Sequence, residues 1–266
     1  MERQAERQRL ESWRVKSPDS PGFHKVIVPE NSDCRVARVF RLNLKAGESH
    51  ILESGPLELH PVLIEGSAEL ASHPVIAARM DRLDSFYIPA GERVAIKALT
   101  DCVFYIAGAP YENIGEAYFR KFQPDAPLGD LRQFHGAGAG LREVFFTLDP
   151  KTPASRLIAG VTWGGQGTWT SWPPHQHEKD LEEVYCYFDI PHPAFGFHLS
   201  YLRSGDPDGV VAHIVQTGTM VQAPCGYHPT VASPSTRNAY FWVLGAFSPE
   251  SRRYDLAVLD PAYANS

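Results

Sequence analysis

A pattern that occurs twice limits what this chain can fold into. The first copy is Ser85-Phe86-Tyr87-Ile88-Pro89-Ala90-Gly91, then a spacer, then Cys102-Val103-Phe104-Tyr105-Ile106-Ala107-Gly108-Ala109. The second is Met220-Val221-Gln222-Ala223-Pro224-Cys225-Gly226, a spacer, and Ala239-Tyr240-Phe241-Trp242-Val243-Leu244-Gly245-Ala246. In each copy an apolar run enters a Pro-x-Gly turn, and a second apolar run ends in Gly-Ala. The two turns are 135 residues apart, about half of the 266-residue chain. Half of this chain is the size of one small domain. The order predicts a duplicated unit built on strands.

The text between these copies agrees. The 21 glycines and 22 prolines are spread along the chain rather than gathered in one linker. Short runs of β-branched and aromatic residues lie between them, some alternating with period two, such as Phe40, Leu42 and Leu44 between Arg41 and Asn43. Leu57 and Leu59 alternate in the same way with Glu58 and His60. The runs at 103–107 and 240–244 are continuous, as in strands buried on both faces. Helical periodicity is confined to residues 3–13, with Ala5, Leu10 and Trp13. The reading is an all-β barrel or sandwich fold with few short helices. Three segments are expected: an N-terminal extension at 1–25, a first barrel at 26–140 and a second at 141–266. Gln123 to Leu131, with Pro124, Pro127 and Gly129, forms the connection.

Composition excludes several classes of function. There are 25 Lys and Arg against 31 Asp and Glu, a formal charge of −6, and no basic cluster longer than Arg252-Arg253. A nucleic-acid binder needs many cationic contacts to phosphate. No apolar stretch approaches the ~20 residues that span a bilayer. The charged start, Met1 to Arg7, lacks the apolar core of a secretory signal. Cys34, Cys102, Cys186 and Cys225 are scattered without a CxxC pair, which points to reduced thiols in a cytoplasmic protein.

The chemistry is concentrated in Pro173-Pro174-His175-Gln176-His177-Glu178-Lys179-Asp180-Leu181-Glu182-Glu183-Val184-Tyr185. On a strand His175 and His177 share a face, so both imidazoles can reach one ion. Glu182 follows five residues after His177, past a polar turn that can return a carboxylate to the same place. His228, just after Pro224-Cys225-Gly226, is the fourth candidate. Three imidazoles and a carboxylate suit one borderline divalent ion, zinc first, with manganese, iron, nickel and cobalt also suited. Of the remaining histidines, His198 is the one expected near a pocket. The others read as surface or satisfied core residues.

The HxH, Glu and later His pattern resembles the cupin motif pair, and the duplication resembles a bicupin. More specifically, Gly167-Thr168-Trp169-Thr170-Ser171-Trp172-Pro173-Pro174-His175-Gln176-His177, Phe195-Gly196-Phe197 and Gly226-Tyr227-His228-Pro229 resemble the 5-deoxy-glucuronate isomerases of inositol catabolism. Those enzymes are relatives of the 4-deoxy-5-hexosulose-uronate ketol-isomerases. The resemblance implies a metal-dependent aldose–ketose isomerase acting on a small-molecule sugar acid. It places the metal ligands on His175, His177, Glu182 and His228. Glu183 competes with Glu182, and spacing along a strand favours Glu182. The first half has no HxH, and Arg93 stands where the second half has His228. The family's Gln-Arg pair after Phe195-Gly196-Phe197 is here His198-Leu199, which leaves Arg203 or Lys179 as candidate partners for a substrate carboxylate. Isomerisation needs a proton shuttle or a metal-assisted hydride shift. The candidate shuttles are Glu183, Tyr185 and Tyr201. An iron-dependent dioxygenase and a non-catalytic sugar-binding barrel with a structural metal are the competing readings. Duplicated barrels of this kind can form homo-oligomers through sheet edges.

Overall fold

The computed structural model describes residues 1–263. Strands dominate it, organised as two β-barrels of the same plan. In the first, one sheet runs in hydrogen-bonded order Tyr118–Arg120, Ser85–Tyr87, Leu57–Glu65, Cys102–Pro110, Arg38–Leu44, Gly22–Ile27. In the second, the order is Arg14–Lys16, Thr219–Ala223, Leu181–Tyr187, Arg237–Ala246, Leu157–Gln166, Arg142–Leu148, Arg132–His135. Each has a smaller four-stranded sheet opposite, comprising Ser49–Glu53, Arg93–Ala98, Ala68–Ala71 and Arg79–Met80 in one barrel. In the other it comprises Trp169–Thr170, Thr230–Ala232, Gly196–Ser200 and Val211–Val215. The strands that carry the repeated pattern sit at matching places in the two large sheets, so the duplication is one of topology as well as sequence. Closing each sheet over a second one removes most free edges.

The two large sheets pack back to back. Val39, Val62, Tyr105 and Ala107 of one meet Phe145, Val161, Val184, Cys186, Phe241 and Val243 of the other in a single apolar core. This explains the continuous apolar runs, because those strands have a core on both faces. It also explains Leu57–Glu65, where the alternation does not mark a solvent face. Leu59 and Leu63 enter the first barrel's interior, while Glu58 and His60 are wholly buried. His60 Nε2 bonds Thr147 Oγ1 of the other barrel at 2.9 Å.

Glu58 and Glu182 occupy corresponding strands and hold the barrels together in the same manner. Glu58 accepts from the backbone N–H groups of Ser155, Arg156 and Leu157, at 2.7–2.8 Å. Glu182 accepts from those of Arg35, Val36 and Ala37, at 3.0, 2.5 and 2.6 Å. A buried carboxylate is tolerated where several donors replace its water.

The chain's start belongs to the second barrel. The helix Glu2–Glu11 buries Leu10, which with Trp13 packs on Val211, and Arg14–Lys16 pairs with Thr219–Ala223. Strand pairing likewise joins Arg132–His135 to the second sheet. All four cysteines are free, and only Cys225 is partly exposed. No helix among the described residues is long and apolar enough to cross a membrane.

Candidate metal centre

The first barrel's interior is filled by Phe40, Leu42, Leu52, Leu59, Leu63, Phe86, Phe104 and Ile106, and among the described residues no group of three His, Cys, Asp or Glu side chains gathers there. Arg93, which stands in the place of His228, is exposed.

The second barrel is different. His175 lies on the short strand His175–Gln176, His177 just beyond it, and His228 past the Gly226 turn. Gly226 is in the left-handed region, φ 73°, and a Cβ there would strike the Tyr201 carbonyl oxygen at 2.5 Å. Only glycine makes that turn without strain. The three imidazoles converge, each offering a ligand atom within 4.8 Å of the others. All three Nδ1 atoms meet backbone carbonyls: His175 at Pro173 (3.0 Å), His177 at Leu181 (3.2 Å) and His228 at Gly226 (3.0 Å). A ring nitrogen facing a carbonyl must donate. In neutral rings this leaves the lone pair on Nε2, the tautomer of a metal ligand whose other nitrogen is anchored by a carbonyl.

The fourth group is Glu183, whose Oε2 lies 3.1 Å from His177 Nε2 and 3.2 Å from His228 Nε2. His228 Nε2 is buried and makes no hydrogen bond, because the contact with Glu183 has the distance but not the geometry of one. Lone pairs facing a carboxylate at this range repel unless a cation or proton lies between them. The donor set therefore fits a divalent ion held by three nitrogens and one oxygen. Burial and the neighbouring rings of His228 and His177 hold His175 down at about 3, so it stays neutral and able to ligate.

The structure reverses the expected choice between the adjacent glutamates. Neighbours on a strand face opposite sides. In Leu181–Tyr187 it is Glu183 and Tyr185 that face the barrel interior, while Glu182 faces the other barrel. The turn from His177 to Leu181 accounts for the shift. Leu181 N–H and Asp180 N–H both donate to the His177 carbonyl, so simple counting from His177 does not carry strand parity across.

A cavity of about 420 Å³ opens over the imidazoles. Glu183, Tyr185, Trp172, Trp242, Tyr254 and Arg142 are among its walls. Tyr185 is buried, and its hydroxyl lies 3.1 Å from Glu183 Oε2 and 3.2 Å from Ser171 Oγ. Burial, then the charge of Glu183, raises this phenol well above its ordinary range. Tyr201 is not a wall residue. Its hydroxyl donates to the buried Asp260 at 2.7 Å. His198 is buried behind Tyr185, 4.9 Å between ring centroids, and bonds the Tyr187 hydroxyl through Nδ1 at 2.8 Å.

Sequence reasoning missed Arg142, Trp242 and the tail. The strand Val258–Leu259 pairs with His175–Gln176, and Asp260 N–H donates to the Pro174 carbonyl, so the tail straps the HxH segment. Asp255, Ala257 and Leu259 line the cavity. The tail carries no motif. Its one signal is a buried acid, Asp260, which also accepts from Ser204 and Ala262.

Two interlocked barrels, one with an apolar interior and one with a His-rich cavity, define a bicupin. The comparisons agree, since the crystal structure of an IolB-like protein from Salmonella typhimurium superposes with a TM-score of 0.81 at 24% identity, covering 94% of this chain and 97% of that one. Bacillus subtilis oxalate decarboxylase superposes with a TM-score of 0.62 at 13% identity, covering 92% of this chain and 78% of that one. The KduI/IolB family model matches residues 14–265, and the chain belongs to that family. Among curated relatives, the 5-deoxy-glucuronate isomerase of Geobacillus kaustophilus is 28% identical over 244 residues, 86% of each chain. That of Geobacillus thermodenitrificans is 27% identical over the same span.

Proposed function

We propose that this protein is a metal-dependent isomerase that interconverts the aldose and ketose forms of a sugar acid, 5-deoxy-glucuronate, in inositol catabolism. One observation carries the reading: three imidazoles, anchored at Nδ1 by backbone carbonyls, turn their Nε2 atoms and the Glu183 carboxylate toward one point beneath a cavity. The names of the curated relatives support the substrate. Four unpaired thiols suit a reducing compartment, here the cytoplasm.

His175, His177, His228 and Glu183 would hold the ion, with zinc the first choice. When bound, such an ion supplies Lewis-acid stabilisation of negative charge growing on the substrate's oxygens. The chain does the rest. Backbone carbonyls fix the rings before substrate arrives, so no reorganisation is needed during reaction. Tyr185, kept protonated, presents a hydroxyl from the cavity wall and can give a proton to a substrate oxygen while Glu183 steadies its orientation. Trp172, Trp242 and Tyr254 line the cavity and offer apolar area to C–H groups. A purely structural ion would sit in a closed shell, whereas this cavity leaves room beside the ligands for a sugar-sized molecule.

Elemental analysis of the purified protein should find about one divalent ion per chain, with isomerase activity on uronic acids. His175→Ala and His228→Ala should lose both while keeping a cooperative thermal transition. Full isomerase activity in metal-free protein would overturn the reading.

A further inference from the structure

We propose that Arg142 binds the substrate's carboxylate and makes the cavity select sugar acids over neutral sugars, an inference that rests on the isomerase reading above. Neither Arg203 nor Lys179 can do this. The Arg203 guanidinium is engaged by both oxygens of Glu6 on the N-terminal helix, at 2.6 and 2.8 Å, and Lys179 is exposed. Neither lines the cavity.

Arg142 does. It begins the strand Arg142–Leu148, and Val144, two residues on and therefore on the same face, lines the cavity as well. Apart from histidine, it is the one basic side chain among the described wall residues. The side chain is half-buried, and Nη1 is fixed by the carbonyl of Trp172 at 2.7 Å and that of Gly140 at 3.3 Å. Those two bonds use one nitrogen of the fork and neutralise no charge. Nearby acids are committed elsewhere: Glu143 to Arg132 and Trp163, Asp255 to Arg253. A guanidinium held in place by carbonyls, without a carboxylate partner among the described residues, is prepared for a planar anion from outside.

Its position suits the molecule. Trp172 is three residues before His175, so about 10 Å at most separates the backbone that holds Arg142 from the backbone of the first histidine. Tyr240 and Tyr254, both on the cavity wall, feel the fields of both Arg142 and Glu183. Arg142 and the ligand cluster thus line one cavity of about 420 Å³. A sugar acid carries its carboxylate and its reacting carbonyl at opposite ends of its carbon chain, and the two features bracket it.

The test is calorimetric titration of the metal-loaded protein with glucuronate and with glucose, using wild type, Arg142→Gln and Arg142→Lys, with metal content and thermal midpoint recorded. Wild type should prefer glucuronate. Arg142→Gln should weaken glucuronate binding about 10- to 100-fold, as for loss of hydrogen bonds to a charged group, and leave glucose unchanged. Arg142→Lys, which keeps the charge but not the fork, should fall between them, and it serves alone if the Gln variant does not fold. An acid preference that persists in either variant at the wild-type level overturns the role of Arg142 and leaves the isomerase reading standing. Equal weakening for both sugars also overturns it, since that marks a residue that only shapes the Trp172 loop. Wild type with no acid preference overturns the inference together with the sugar-acid reading.

Discussion

Replacing Glu182 and Glu183 separately by alanine should break two unrelated things. Glu182→Ala leaves three backbone N–H groups without their acceptor. A buried donor left unsatisfied costs about 1–3 kcal/mol. Ala37 is fully buried and bears that cost, Val36 is half-buried and bears part, and exposed Arg35 recovers a bond to water. The sum is about 2–5 kcal/mol. At about 2–4 °C per kcal/mol for a chain of this size, the thermal midpoint should fall by about 5–15 °C. The metal stoichiometry of the folded variant should not change. Glu183→Ala should do the reverse. Metal-free protein should unfold near the wild-type temperature, because a buried carboxylate among imidazoles contributes little without an ion. Metal affinity should drop at least 100-fold, beyond the ~10–100-fold seen when only a supporting partner of a ligand is lost. Differential scanning calorimetry with and without chelator, together with elemental analysis, reads both effects. A Glu182→Ala protein that loses its metal, or a Glu183→Ala protein that keeps it, would refute the assignment of faces.

Two further outcomes can be checked in solution. Isomerisation run in D₂O should place deuterium at the carbon that receives the transferred hydrogen, detected by mass spectrometry; product without deuterium would rule out a route through a proton that exchanges with solvent. For His60, burial first and then the charges of Arg120 and Arg252 depress the imidazole to about 3 in the folded protein. The unfolded chain binds that proton near pH 6.5 and the folded one does not, so this contribution to stability is complete above pH 6.5 and is lost as pH falls toward 3. The slope is about 1.4 kcal/mol per pH unit. Urea denaturation at pH 7, 6 and 5 should therefore show a shallower acid loss in His60→Gln than in wild type, and equal slopes would remove His60 from the account.

The candidate metal site was half legible. HxH and the Pro-x-Gly-x-His turn are local, so their meaning survives in sequence: alternation and a glycine turn fix which way His175, His177 and His228 point. The glutamate was misjudged because the parity of a strand is reset by the turn before it, and the bonds of Asp180 and Leu181 to the His177 carbonyl are invisible until folded. The pattern at Glu58 and His60 misled in the same way, since a polar residue in an alternating strand can face a partner barrel instead of water.

By itself the sequence determined the duplication, the all-β class and the three histidines, because each is written in the period and spacing of neighbouring residues. Tertiary structure alone decided that Glu182 binds backbone across the barrel interface and Glu183 faces the imidazoles. It also decided that Arg142 and the tail around Asp260 meet the site from far along the chain. Those assignments depend on which face of a strand is covered by which distant segment, and contacts between remote segments leave no periodic trace in the order of residues.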